Sequence, residues 1–329
     1  MSSRREPPAG LIGTMTWLYA VQFAAPLVLI GWLLWVPARS GLGFVVQVFG
    51  SVAALAVMAL QGIWLLPPWW APFMFAVALG VAALLGWRRI RPFSSAVPVT
   101  WGAWTVLVLF IALGTASTYG TVIALRSRTT PAVGIVSLAF PLEPGRYLVV
   151  NGGSNISTNA HLETLDAGVP RYRAWRGQSY GVDLVALDRF GLRARGVQPA
   201  DPRAYFIYGA RVLSPCAGQV VIAADGLPDM QVPEVDRDHL AGNHVMLRCA
   251  EADVLLGHLQ PGSVRVHAGA NVAVGDWLAS VGNSGNTGEP HLHIHAQGKG
   301  PTEAPLGGDP RPIEFKGRFP VRGERIEAP

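Results

Sequence analysis

Residues 282–297 read "GNSGNTGEPHLHIHAQ" and set His291, His293 and His295 at alternate positions behind a glycine-rich run. Imidazole carries protons near neutral pH, and its neutral nitrogen is a good ligand for zinc and other borderline metals. If Pro290–His295 forms a strand, the three histidines project to one face, because side chains alternate with period two. Rings so placed repel one another if all are protonated, so some must stay neutral, which metal ligation accounts for. Histidines standing on an exposed strand are the plain alternative, and the surrounding sequence has to decide.

The elements that would position them are short apolar runs such as "GRYLVV", "GQVVIAA", "NHVMLRC", "VLLGHL" and "GDWLASVG", punctuated by Gly and Pro. No long amphipathic helix and no internal repeat interrupts them, so the chain after Pro131 reads as a mainly antiparallel β domain. The glycines of "GNSGNTG" lack the Gly-Lys-Ser/Thr of a phosphate loop and read as turn residues that allow positive φ. The tail from Pro305 reads as a packed surface strand and loops.

The first half is written differently. Half of the 329 residues are apolar and 14% are charged, against about a quarter in soluble proteins. From Pro7 to Leu125 the only ionised side chains are Arg39, Arg88, Arg89 and Arg91. Apolar runs at about 11–36, 44–66, 71–87 and 101–125 each approach the roughly 20 residues that cross a bilayer. The expectation is an all-α membrane domain of four transmembrane helices over 1–128, followed by an extracytoplasmic β domain over 129–329. The first run exceeds a signal-peptide core, and Trp17, Trp32, Trp35, Trp64, Trp69, Trp70, Trp87 and Trp101 stand near span ends, as interfacial tryptophans do.

Arg88, Arg89 and Arg91 form the strongest cytoplasmic marker and send everything after Arg126 outward; Arg4, Arg5, Arg126 and Arg128 weigh against that orientation. The localisation that follows is a multi-pass cytoplasmic (inner) membrane protein with a periplasmic or otherwise extracytoplasmic C-terminal domain. Cys216 and Cys249 both fall in that domain, as a disulfide if it lies in an oxidising space or as two buried thiols. The net charge of +5 is scattered without a basic stripe, so nucleic acid is not expected as a partner; an anionic cell wall or lipid surface suits it better.

The order of His258-Leu after an apolar strand, "GDWLASVG", "GNSGNTG" and "HLH" resembles the lysostaphin/LytM-type zinc metallopeptidases, peptidase family M23. The resemblance runs from about Tyr180 to Gln297 and includes "PCAGQV" and "GNHVML". It implies a fold of the duplicated-hybrid-motif type, one Zn²⁺ per domain, and hydrolysis of peptide cross-links in peptidoglycan or of another extended peptide. By the resemblance, Asp183 in "QSYGVDLV" and His293 are zinc ligands, and His258 and His291 are the catalytic pair that flanks the activated water. The usual histidine four residues before the aspartate is replaced by Ser179, a poor zinc ligand. The segment "NAHL" offers His161 instead, with Asn159 close by, and resembles a branch of the family in which such a segment precedes "Q-x-Y-A-x-D"; His161 is therefore expected as the remaining ligand.

His295 stands where the family has glutamate and reads as a surface histidine or as a group orienting a ligand. His239 and His267 read as loop residues, and His244 as structural. Two functions follow: a membrane-anchored zinc endopeptidase, preferred because His258, His291 and His293 are all present, or an inactive LytM-like domain that binds cell wall or regulates a hydrolase. A transporter is disfavoured because no acidic, lysine or histidine residue lies in the spans.

Overall fold

The computed structural model describes residues 10–36, 38–90, 95–132 and 134–329, with side chains from residue 20 onward. Arg4, Arg5, Arg91 and the Trp17 side chain lie outside the described residues. Two compact units emerge, Met1–Val122 and Ile123–Pro329.

The apolar runs form helices α1 (Gly10–Trp35), α2 (Gly41–Gln61), α3 (Ala71–Ile90) and α4 (Trp101–Arg126). Ser40 caps α2, its hydroxyl accepting from Gly43 N at 3.1 Å, as N-terminal N–H groups without an intrahelical partner require. The second helix stops at Gln61, short of the expected 66, because Gly62 turns extended and two prolines follow that no helix interior accommodates. Among the described residues α2, α3 and α4 are long and apolar enough to cross a membrane, whereas α1 qualifies as a shorter apolar helix over Ala20–Trp35. Three candidate spans therefore stand where four were expected, since the side chains of the first turns of α1 fall outside the described set.

Polar side chains join these helices to one another. Trp32 Nε1 donates to Gln47 Oε1 at 3.0 Å, and Gln61 Nε2 donates to Gly120 O at 2.9 Å, the type of interhelical bond that apolar surroundings favour. Gly50 lets α2 approach α4, since a Cβ there would lie 2.7 Å from Phe110 O.

The second unit contains β1 (Val136–Leu138), β2 (Gly145–Asn151), β3 (Val182–Ala186), β4 (Arg211–Leu213), β5 (Gly218–Ala224), β6 (Asn243–Arg248) and β7 (Asp253–Leu259). It continues with β8 (Asn271–Val272), β9 (Trp277–Ser280), β10 (Leu292–Gln297), β11 (Pro310–Arg311), β12 (Ile313–Phe315) and β13 (Arg325–Ala328). The main sheet runs β13-β2-β3-β10-β7-β6-β5-β8, with β11 paired to the end of β10. All its pairings are antiparallel; β1 with β12 is parallel and stands apart. Cys216, just before β5, is bonded to Cys249 at the end of β6, so the disulfide is present.

Strand β10 lies between β3 and β7 and is buried along its whole length. Leu292, Ile294 and Ala296 enter the main core with Val182, Leu184, Leu256 and Val149. His293, His295 and Gln297 take the other face, as alternation demands. That face is covered in turn: Met246, Leu255 and Leu306 pack there with Trp175 from the segment between β2 and β3.

Candidate metal centre

Register places the first two groups. Asp183 on β3 pairs directly with His293 on β10, and a bulge between Val149 and Asn151 brings Asn151 of β2 to the other side of Asp183. The carboxylate is held from both sides: His293 Nδ1 lies 2.9 Å from Oδ1, and Asn151 Nδ2 donates to Oδ2 at 2.8 Å.

His258 reaches the same face by an irregularity. His293 pairs with Gly257, so in a regular strand the next residue would point away. Instead β7 bulges against β6 and His258 takes φ 64°, in the left-handed region uncommon for a side-chain-bearing residue. Its ring then lies 4.7 Å from that of His291 and 5.9 Å from that of His293, centroid to centroid.

His161 comes from a short 3-10 turn over Ala160–Leu165, capped by Asn159. Its Nε2 lies 3.5 Å from Asp183 Oδ2, and its ring centroid is 4.8 Å from that of His293. Gly181 permits this approach, because a Cβ there would lie 2.7 Å from His293 Cε1 and 3.4 Å from His161 Cγ. Ser179, four residues before Asp183, where the resemblance led to the expectation of a histidine, is fully buried and occupied otherwise. Its hydroxyl donates to Arg176 O at 2.6 Å and lies 2.7 Å from the Thr164 hydroxyl, which donates to His161 O at 2.7 Å. The serine thus braces the turn that carries His161.

His161, Asp183 and His293 offer three ligand atoms within 4.8 Å of one another. Hydrogen bonds set which nitrogen each ring presents. Asn159 donates through Nδ2 to the Gly153 and Gly181 carbonyls, so its Oδ1 accepts from His161 Nδ1 at 3.0 Å and leaves Nε2 as a lone pair toward Asp183. His258 Nδ1 donates to Ser284 O and His291 Nδ1 to Glu289 O, each at 2.9 Å, which leaves both Nε2 atoms as acceptors. His291 Nε2 stands 3.6 Å from Asp183 Oδ1. On His293 the faces are reversed: Nδ1 is turned to Asp183 and Nε2 lies 3.0 Å from His295 Nδ1. His293 can expose an Nδ1 lone pair by carrying its proton on Nε2 and donating to His295.

His295 is fully buried. The surface reading of that residue is therefore overturned: the strand is covered on both faces, and His295 is in place to orient His293. His244 lies in β6 with Nδ1 2.8 Å from Gly242 O, while His239 and His267 sit in exposed loops. Asn151 escaped the sequence reading, since an asparagine at a strand end carries no motif; its role depends on the bulge. Of the glycines in "GNSGNTG", Gly285 adopts φ 85°, whereas Gly282 is needed for close approach to Gln260.

Burial disfavours cations here. It pushes the His161 imidazole down to about 4, with Asp183 opposing and the neighbouring histidines reinforcing. His258 and His295 are held well below the ordinary imidazole range, first by burial and then by the adjacent rings. For Asp183 burial works upward but is outweighed by His161, His291 and the bond to His293, so its carboxyl stays well below the usual range. A neutral His161 nitrogen beside an ionised Asp183 carboxylate is the combination of protonation states a divalent metal requires of such ligands.

Residues 205–305 match peptidase family M23. No curated protein matches the chain. Among solved structures it is similar to the catalytic domain of the antimicrobial peptidase lysostaphin from Staphylococcus simulans, at 18% identity over 38% of this chain and 71% of that one, TM-score 0.26. A zinc-containing peptidase from Vibrio cholerae is 17% identical over 45% of this chain and 48% of its own, TM-score 0.22. Csd3 of Helicobacter pylori is 17% identical over 62% of this chain and 39% of its own, TM-score 0.28; the chain spans about half or less of these last two proteins. His161 and Asp183 precede the matched residues, while the strands that carry His258 and His293 lie inside them. The C-terminal unit of this chain thus carries, over residues 205–305, a segment that matches peptidase family M23.

Proposed function

We propose that the chain is a membrane-anchored zinc metalloendopeptidase that hydrolyses peptide bonds, with peptidoglycan cross-links as its substrate class. The observation that carries the reading is the meeting of His161, Asp183 and His293 within 4.8 Å beside two further imidazoles whose Nε2 atoms are free to accept. Two nitrogens and a carboxylate oxygen fit zinc, which in catalytic sites takes three protein ligands and leaves a position open. Bound there, zinc supplies a Lewis acid that activates water and polarises a carbonyl.

The protein's own groups do the rest. Asn159 and His295 hold the ligand rings in the required tautomers, and Asn151 fixes the rotation of Asp183. His258 and His291, tied at Nδ1 to backbone carbonyls, can each take a proton at Nε2 from the attacking water and return one to the leaving amine. The apolar helices anchor the unit, with α1 as a fourth span beside the three candidates. The disulfide agrees with an oxidising, extracytoplasmic setting for the domain, with the anchor in the cytoplasmic membrane.

The test is zinc content of the full chain in detergent, by elemental analysis, together with hydrolysis of cross-linked muropeptides, for the wild type and for His161→Ala. One zinc per chain and hydrolysis, both lost in the variant, would support the assignment. A folded wild type that neither holds zinc nor cleaves would overturn it and favour a tethered cell-wall-binding or regulatory domain.

A further inference from the structure

Beyond the groups already described, one buried cation reaches the site from the far end of the chain. Arg322, in the turn before β13, is 9% exposed. Its Nε donates to Val150 O at 2.9 Å, its Nη1 to Ser157 O at 3.2 Å, and its Nη2 to Asn151 Oδ1 at 2.7 Å. Its backbone N donates to Gly152 O at 3.3 Å. These partners are the end of β2 and the loop that leads to His161.

We infer that Arg322 is a positioning residue of the metal centre, which turns the Asn151 amide toward Asp183 and pins the segment that delivers His161. The argument is one of donors and acceptors. An arginine can only donate, so the oxygen of Asn151 must face Arg322 and its NH₂ must face away. The NH₂ therefore meets Asp183 Oδ2 at 2.8 Å, and that carboxylate can rotate only by breaking a bond oriented from behind. Charge acts in the same direction: burial lowers the Arg322 guanidinium to about 10, and the nearby Asp183 charge opposes the shift. The bond to Ser157 O adds a second route, four residues before His161. Arg322 stands beyond residues 205–305 that match the family, so this support lies outside the matched segment.

The inference rests on the metal reading of Asp183, and the experiment separates the two. Zinc affinity of the detergent-solubilised full chain is measured by competition with a chromophoric chelator, for the wild type, Arg322→Gln, Asn151→Ala, the double variant and Arg322→Lys. Each single change is expected to weaken zinc about 10- to 100-fold, the usual effect of losing a group that orients a metal ligand. The double variant is expected to be no weaker than the worse single one, because both break one chain of contacts. Arg322→Lys keeps the cation without the planar fork, so it should recover melting temperature more than zinc affinity. Should Arg322→Gln not fold, Arg322→Lys carries the same cycle with Asn151→Ala. Wild-type zinc affinity in the folded Arg322 variants, or strictly additive losses, would overturn the inference alone. A wild type without zinc would overturn the metal reading and the inference together.

Discussion

In the helical unit the described polar side chains such as Gln47 and Gln61 join one helix to the next, whereas in the β unit Asn151, Asp183, His258, His291, His293 and His295 converge on one face of one sheet. The first arrangement satisfies isolated groups inside apolar surroundings. The second gathers unfavourable burial into a single place, with rings held in defined tautomers and a carboxylate clamped from two sides. Interhelical hydrogen bonds fix how helices sit, but a cluster of imidazoles around a buried carboxylate offers the donor atoms a metal could use, and changes to the two should therefore differ in kind.

The largest expected effect is on metal retention. Asp183→Ala removes the group that touches His161, His291 and His293, so zinc affinity should fall by more than the roughly 10- to 100-fold that an orienting residue is worth; equilibrium dialysis checks this. Retention of stoichiometric zinc by that variant would remove Asp183 from the ligand set. In the core beneath the site, Leu256→Ala opens a cavity at a fully buried position and should cost about 2–5 kcal/mol in denaturant unfolding of the β unit.

The buried imidazoles give the metal-free protein a pH dependence. His161 is lowered to about 4, while in the unfolded chain it titrates near 6.5, so between these values the unfolded state binds more protons and stability rises with pH. The metal-free domain should thus be fully stable above about pH 6.5 and lose about 3 kcal/mol on this account as pH falls toward 4. Melting curves at several pH values read it, and a flat profile would mean that these rings are solvated.

Gly181→Ala tests the close approach of His161 and His293. Overpacking there should cost about 1–3 kcal/mol, and zinc affinity should fall further than an equal loss of stability elsewhere would produce. The smallest effect belongs to the helical unit: Gln61→Leu removes the bond to Gly120 O and should cost about 0.6 kcal/mol in a detergent unfolding titration. A loss several times greater would show that the helices, too, depend on a concentrated polar centre.

Much of this molecule is written locally. The stretch from Pro7 to Leu125, whose only charges are four arginines, reads as a series of apolar helices, and the alternation in "HLHIH" puts His293 and His295 on one face because backbone geometry alone sets that period. The motifs also led to His161, Asp183, His258, His291 and His293, which the fold gathers. What the chain could not announce is what depends on contact between distant segments. His295 is buried because other segments cover its strand. Ser179 is a brace because Thr164 folds against it. Asn151 meets Asp183 through a bulge, and Arg322 meets Asn151 from 171 residues away. Periodicity and composition are properties of neighbours in sequence and can be read there; burial, tautomer and hydrogen-bond direction belong to neighbours in space, and only tertiary packing decided them.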